Sequence, residues 1–318
     1  MISIVITAYK EANTIGKAIE AITCQKNKPT DFSEHSQKPK HKLRRFLIKQ
    51  KIKNYELIVS APDDETLNVA RSYAKKNKKI KILKDKGNGK PAALNLVFKK
   101  AKGEILILTD GDVYISDNSI NSILEKFKDK KVGIVSGRPI SLNDKRTMLG
   151  FWSHLLTDTA HKLRKERTEQ GKMIVCSGYL YAFRKNLIRK IPEEALSEDA
   201  VISHLIADKG YKTEYAKKAE VYVKYPLTFK DWIKQKKRSA GGYNQLAYMV
   251  RGKERMRSFA KESSGIFKVL SYPKTPKEFF YTLELVLARI YLWFLIFLEI
   301  NIKKKNLKKI WVRVESTK

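Results

Sequence analysis

An α/β fold with a mostly parallel sheet flanked by helices is what the sequence predicts, on three observations. Short apolar runs alternate with helix-like segments through the first half of the chain. The runs "ISIVIT", "LIVS" and "ILILT" are continuously apolar, as suits strands buried on both faces. At 318 residues the chain can bury a large core, as one big domain or as one domain with appendages.

In order, "ISIVIT" reads as a strand and "NTIGKAIEAI" as a helix with Asn13 as its candidate N-cap. "YELIVS" is the next strand, followed by helix "DETLNVARSYAKK", strand "KIKIL", helix "KPAALNLVFKKA" and strand "EILILT". After Ser136 the pattern is mixed. "GFWSHLLTDTAHKLRKER" reads as a helix, "VCSGYLYAFRKNLI" as a strand leading into a helix start, and "LSEDAVISHLIADKG" as a helix with acids in its first turn. "YKTEYAKKAEVYVKYP" suggests a hairpin or edge strands, and "TFKDWIKQKKRSAGGYNQLAYMV" a helix interrupted or bent near Gly241 and Gly242. Residues 26–54 are too long for an ordinary helix-to-strand connection and read as a basic insertion, either a solvated loop or a surface for anionic lipid or a phosphorylated acceptor. This places a catalytic domain at 1–250 and a C-terminal membrane-associating helical region at 251–318.

Lys and Arg number 66 against 33 Asp and Glu, a formal charge of +33 spread along most of the chain. Such a balance favours anionic lipid headgroups, phosphorylated substrates or nucleic acid, unless it is only a Lys-rich surface of thermophile type. No RNP, zinc-finger or helix-turn-helix signature is visible, so a non-catalytic nucleic-acid-binding protein is the remote alternative and no nucleic-acid partner is expected. Cys24 and Cys176 form no CxxC pattern, which suggests a reducing compartment and no structural zinc. His154 and His161 share a helix face without a third ligand and read as packing or surface residues. The start "MISIVITAYKEA" runs from a strand into a polar turn, so a cytosolic N-terminus is expected.

The stretch 279–302, "FFYTLELVLARIYLWFLIFLEINI", is long enough to span a bilayer, yet Glu284, Arg289 and Glu299 interrupt it. Arg289 near the centre of a span would cost roughly 2.5–3.5 kcal/mol. The basic segment that follows would also sit on the wrong side of the positive-inside rule. A helix in the membrane plane, or packed on the domain, stands beside a span or re-entrant hairpin as the alternative. Either places the protein at the cytoplasmic face of the membrane, against anionic lipid.

The chemistry-bearing residues begin with "TDGD". Asp110 and Asp112 at the end of a buried strand can hold a divalent cation against a diphosphate, and oxygen ligands suit Mg²⁺ or Mn²⁺. "KGNGKPAALN" delivers Lys90 from a Gly-rich turn and opens a helix carrying Asn95. "SED" puts Glu198 and Asp199 at a helix start, and "QKKRS" sets Gln235 and Arg238 on one helix face. A positioned carboxylate removes a hydroxyl proton as a bond forms, and a guanidinium grips a leaving diphosphate.

In this order the motifs resemble the family 2 glycosyltransferases with the GT-A fold, nearest to the membrane-associated synthases of hyaluronan, poly-N-acetylglucosamine and cellulose. "SIVITAYKEA" is similar to their first strand and nucleotide loop, "GKPAALN" to their sugar-side helix and "DGD" to their metal motif. "CSGYLYAFRK" is similar to their acceptor-side strand, "SED" to their base motif and "QKKR" to part of QxxRW. The resemblance implies that Thr7, Tyr9 and Glu11 line the base and ribose site and that Lys90 and Asn95 face a nucleotide-sugar. It implies that Asp110 contacts ribose or sugar, Asp112 ligates the metal, Asp199 is the general base, and Gln235 and Arg238 close over the diphosphate. The implied reaction is inverting, metal-dependent transfer from a nucleotide-sugar, a UDP-sugar foremost, to a hydroxyl of a lipid-linked or glycan acceptor; the alternative is a polyprenyl-phosphate glycosyltransferase. Two departures stand out. Ser60 and Ala61 replace the usual Asp-Asp after the second strand, leaving Asp63 or Asp64 as substitutes in base recognition, and Ser239 replaces the motif's Trp.

Overall fold

The computed structural model describes residues 1–23, 52, 54–249 and 269–298. The basic insertion at 26–54, apart from residues 52 and 54, lies outside the described residues, as do the boundary at 250/251 and Glu299. An eight-stranded sheet organises the rest, in the order β3-β2-β1-β4-β7-β6-β8-β5. Its strands are β1 (Ile2–Thr7), β2 (Tyr55–Ala61), β3 (Ile80–Lys84), β4 (Ile105–Asp110), β5 (Tyr114–Ile115), β6 (Val132–Ser141), β7 (Leu180–Arg184) and β8 (Lys212–Val223). β3, β2, β1 and β4 are parallel, β7 is antiparallel to both β4 and β6, β8 is parallel to β6, and β5 is antiparallel to β8.

The first strands are mostly apolar because both faces are covered, with Ser3 donating to Glu56 between β1 and β2. Ile4 and Ile6 point into one core with Leu57 and Val59, against Ile15 and Ile19 of α1 (Ala12–Thr23) and Leu67 and Ala70 of α2 (Asp64–Ala74). Val5 and Ile58, one step out of phase, enter the other core with Leu106 and Leu108. That second core is closed by Leu94, Val97 and Phe98 of α3 (Lys90–Lys100) and by Val201, Ile202 and Ile206 of α6 (Glu198–Ala207). Burying a Val, Leu or Ile side chain stabilises by about 1.5–3 kcal/mol, so these two layers fix the strand ends on which the site is built.

Three expectations need correction. α1 starts at Ala12, and the Glu11 carbonyl accepts from Thr14 N and Ile15 N, so Asn13 lies inside the helix and Glu11 occupies the cap position. Residues 211–226 hold one long strand, β8, not a hairpin; it sits between β6 and β5, and its register slips so that Ser136 pairs with Tyr215 but Arg138 with Glu220. α7 (Phe229–Met249) runs unbroken through Gly241 and Gly242, because Gly242 serves close packing: a Cβ there would collide with Ser197 at the start of α6. β6 and α4 (Ser119–Lys126) are elements the sequence pattern did not single out.

The last described helix, α8 (Pro276–Phe297), packs on α5 (Met148–Glu169) and α7. Leu285 and Ala288 join Phe151, Trp152, Leu155 and Trp232 in a third apolar cluster, and Trp152 Nε1 donates to the Tyr281 carbonyl at 2.6 Å. Glu284 is exposed and Arg289 half-buried; Leu292 is buried, while Phe280, Leu283, Leu287, Ile290, Phe294 and Phe297 face outward. Among the described residues α8 is the one helix long and apolar enough to cross a membrane.

Candidate functional site

Parallel register assembles the sheet edge where the sequence predicts the donor. Thr7, the last residue of β1, pairs with Ser60 of β2 on one side and with Asp110 of β4 on the other. Ligands of parallel sheets sit at such carboxyl ends. Thr7 Oγ1 donates to Asp110 Oδ1 at 3.4 Å, and Lys90 Nζ lies 2.7 Å from the same oxygen. Lys90 opens α3, whose cap residue Gly89 takes φ 97°, a backbone that a residue with a Cβ rarely adopts. The same ammonium is 2.7 Å from Glu198 Oε1 at the start of α6. Burial disfavours the Lys90 charge, but Asp110 and then Glu198 outweigh it and raise its pKa.

Gly111 is the tight point between the two acids. A Cβ there would run into the Glu11 carboxylate and come within 2.9 Å of Ala8 Cβ. Glu11 is buried, and its N–H donates to Thr66 Oγ1 at 2.8 Å. Asp112 follows in the turn before β5, half-buried. Among the described residues no group of three or more His, Cys, Asp or Glu could hold an ion unaided. Mg²⁺ sites of one or two carboxylates completed by substrate phosphates need no such group, and Asp110 with Asp112 fits that donor set.

Across β7 from the donor edge lies Asp199, in the first turn of α6 beside Gly178, where a Cβ would stand 3.2 Å from its Oδ2. Burial raises the Asp199 carboxyl to about 6; the neighbouring Glu198 charge adds to the rise, while Lys90 and Arg164 oppose it. Tyr179, before β7, links the two sides. Its carbonyl accepts from Thr109 Oγ1 at 2.8 Å, and Gln235 Nε2 of α7 approaches its hydroxyl at 3.5 Å. Burial raises its phenol well above the usual range; Arg238 pulls the other way, and Asp112 and Asp110 add to the rise.

Lys90 and Asp110 are therefore in direct contact, with Asp112, Arg238 and Gln235 grouped round Tyr179 and Asp199 beside Glu198. Other expected site residues are placed differently. Asn95 is buried with its amide engaged by one backbone residue, Nδ2 donating to Ile191 O and Ile191 N donating to Oδ1, both at 2.9 Å. Asp63 caps α2 and also accepts from Lys10 N at 2.8 Å; burial works to raise its pKa, but hydrogen bonds led by Thr66 hold it below the carboxylate norm. Asp64 pairs with Lys84 at 2.6 Å on an exposed surface. Tyr9 is 40% exposed, with Lys10 Nζ over its ring at 5.6 Å from the centroid. The two histidines serve packing, His154 Nε2 at 2.9 Å from Asn143 O and His161 Nδ1 at 2.8 Å from Tyr215 Oη. Cys176 is buried, its thiol pushed up to about 12 by burial. Sequence reasoning assigned no role to Glu198 or Tyr179, although both stand inside the motifs "SED" and "CSGYLYAFRK".

Comparison with known proteins places this geometry. Residues 41–192 match the family model described as glycosyl transferase family 2. The probable glycosyltransferase YdaM of Bacillus subtilis (strain 168) is 26% identical over 188 residues, 56% of this chain and 45% of its own length. The poly-beta-1,6-N-acetyl-D-glucosamine synthase of Staphylococcus aureus (strain COL) is 24% identical over 204 residues, 63% of this chain and 49% of its own. The chain thus spans about half the length of the curated relatives it matches. A solved structure, the mannosyltransferase PcManGT from Pyrobaculum calidifontis in complex with GDP-Man and Mn²⁺, shares the fold at TM-score 0.60 and 16% identity, covering 96% of this chain and 88% of that one. On a mostly parallel, GT-A-like sheet, this chain is thus similar over residues 41–192 to the glycosyl transferases of family 2.

Proposed function

We propose that the protein is an inverting, metal-dependent glycosyltransferase. It moves a sugar from a nucleotide-sugar, a UDP-sugar in the first instance, to a hydroxyl of a membrane-proximal acceptor, lipid-linked or a glycan. The observation that carries this reading is Lys90, a single ammonium 2.7 Å from both Asp110 and Glu198, which joins the diphosphate edge to the residue preceding Asp199. Asp110 and Asp112 would hold Mg²⁺ or Mn²⁺, which when bound offsets charge on the leaving diphosphate. Arg238, with Gln235, supplies a planar donor group to the same phosphates from α7. Asp199, with its carboxyl raised to about 6, is ionised at neutral pH yet basic enough to take the acceptor's proton as the bond forms. Attack opposite the leaving diphosphate inverts the anomeric centre, so an α-linked donor gives a β product.

The exposed stripe of α8 supports a membrane-proximal acceptor. Buried residues recur from Thr282 to Ile296 on the domain side, so the helix lies along the domain, and its outward Phe, Leu and Ile side chains are left to enter the cytoplasmic leaflet in plane. A net charge of +33 favours an anionic leaflet.

The test is a binding and hydrolysis screen of nucleotide-sugars with Mn²⁺ or Mg²⁺, run on the wild type and on Asp112→Ala. Metal-dependent binding or slow hydrolysis of one donor, lost in the variant, is expected. Failure of every donor with folded wild-type protein would sink the proposal.

A further inference from the structure

We propose a second anion site, at the opposite edge of the sheet from Asp110 and Asp112, that takes a phosphate ester. β7 runs antiparallel to β4, so the end of β7 meets the start of β4, with Arg184 paired to Ile105. An open cavity of about 840 Å³ lies at that corner, lined by the end of α3, the residues before β4 and the segment after β7. Its volume is that of a small-molecule site, which runs roughly 300–1,000 Å³. Glu104, on its wall, directly precedes β4, and Asp110 ends that strand. At about 3.3 Å per residue the two stand roughly 20 Å apart, so this cavity is separate from the metal acids.

Five cations line the cavity, Lys99, Lys102, Arg184, Lys185 and Arg189, against the single acid Glu104. Two of the five are built into the wall. Arg184 Nε donates to the Val132 carbonyl at 2.9 Å, and its Nη2 donates to the carbonyls of Phe127 at 2.9 Å and Asp129 at 3.2 Å. Lys185 Nζ donates to the carbonyl of Ala101, the residue that caps the end of α3. These partners are neutral, so they fix both groups in place without offsetting either charge. The Asp129 carboxylate is taken by Lys212 at 3.1 Å, which leaves Arg184 only the carbonyl of that residue. Among the described residues none of the five cations is ion-paired.

Donors also remain. A guanidinium has five N–H groups and an ammonium three, so Arg184 keeps the two on Nη1 and Lys185 keeps two. Half-buried cations held by neutral groups favour an anion that brings acceptors to them. A phosphate monoester carries roughly 1.5–2 negative charges near neutral pH and three acceptor oxygens, which suits a guanidinium fork beside an ammonium. Exposed Lys99, Lys102 and Arg189 add charge at the rim. Phe98 and Ile188 give the cavity an apolar part, which favours an ester over the inorganic ion. A free phosphorylated metabolite and a phospholipid headgroup share this chemistry.

The experiment separates the two sources on the full chain in metal-free buffer. Glycerol 3-phosphate, by calorimetry, is the free ester, and co-sedimentation with phosphatidylglycerol vesicles is the lipid arm. Lys102→Gln combined with Arg189→Gln removes two rim charges and leaves the carbonyl bonds of Arg184 and Lys185 intact. It should weaken binding about ten- to hundredfold. A loss for glycerol 3-phosphate names a free ester as the ligand, and a loss confined to the vesicles names a headgroup. Lys75→Gln combined with Lys78→Gln removes the same charge from an exposed surface after α2 and should leave binding within about twofold. Equal weakening by the two double variants would show a diffuse field instead of a site and overturn the proposal. Unchanged binding of both probes by the first variant, or wild type that binds neither probe, would overturn it as well.

Discussion

Strands β3, β2, β1 and β4 run parallel in unbroken register, whereas β7, β6, β8 and β5 mix antiparallel and parallel pairings and slip twice between β6 and β8. The two halves supply chemistry in different ways. In the parallel half, Thr7, Ser60 and Asp110 stand at or one step before a strand end, so their mutual positions follow from strand spacing. In the mixed half, Asp199 and Glu198 come from the start of α6, Gln235 and Arg238 from α7, and Tyr179 from a loop. Helix packing sets those positions. Gly242 against Ser197 is such a contact, bringing α7 onto the residue that begins α6.

The largest effect should come from Asp199, the proposed base, which belongs to the mixed half. Asp199→Asn is expected to lower transfer to a hydroxyl acceptor by about 10²- to 10⁴-fold while nucleotide binding at the parallel half persists, measured by steady-state assay beside calorimetry. A polyprenyl-phosphate acceptor needs no strong base, so near-normal transfer by this variant would favour that acceptor class. The pH profile sharpens the contrast. The active base is the ionised form, so wild-type kcat/KM should fall as pH drops through about 6, where Asp199 takes up its proton. Glu198→Gln removes a charge that raises this carboxyl and releases Lys90, which lowers it; both changes move the acid limb to lower pH, although burial still holds it up. An unmoved limb would dissociate Glu198 from the base.

The same division decides what the sequence alone could reveal. Continuous aliphatic runs announce strands buried on both faces, and the acids of "TDGD" stand out against them. The expected strands β1 to β4 therefore match the observed ones to within a residue at each end. Glu198 carried no such signal, because an acid in the first turn of a helix reads as an ordinary helix-start residue until Lys90 is seen to pair with it. Asn95 shows the converse. Its motif implied a ligand, but its amide binds both backbone groups of Ile191, a contact 96 residues apart that no local pattern encodes. β8 was misread because "EYAKKAEV" alternates like two short strands, whereas the extra residues are absorbed as a register slip against β6.

A smaller effect, and then almost none, is expected on opposite faces of α8, the helix that closes the mixed half. Leu285 is 1% exposed and sits with Trp152 and Trp232, so Leu285→Ala should leave a cavity and cost about 2–5 kcal/mol in denaturant unfolding. Leu287, two residues on, is 66% exposed, and Leu287→Gln should change stability by no more than about 0.5 kcal/mol. Its consequence belongs to a different assay. If the outward stripe enters lipid, Leu287→Gln combined with Ile290→Gln should reduce co-sedimentation with anionic vesicles while unfolding and nucleotide binding stay unchanged. A helix that instead spans the bilayer must leave the Leu285 cluster, and then Leu285→Ala would cost nothing in unfolding. The two faces of one helix therefore test separately how the domain is held together and where it works.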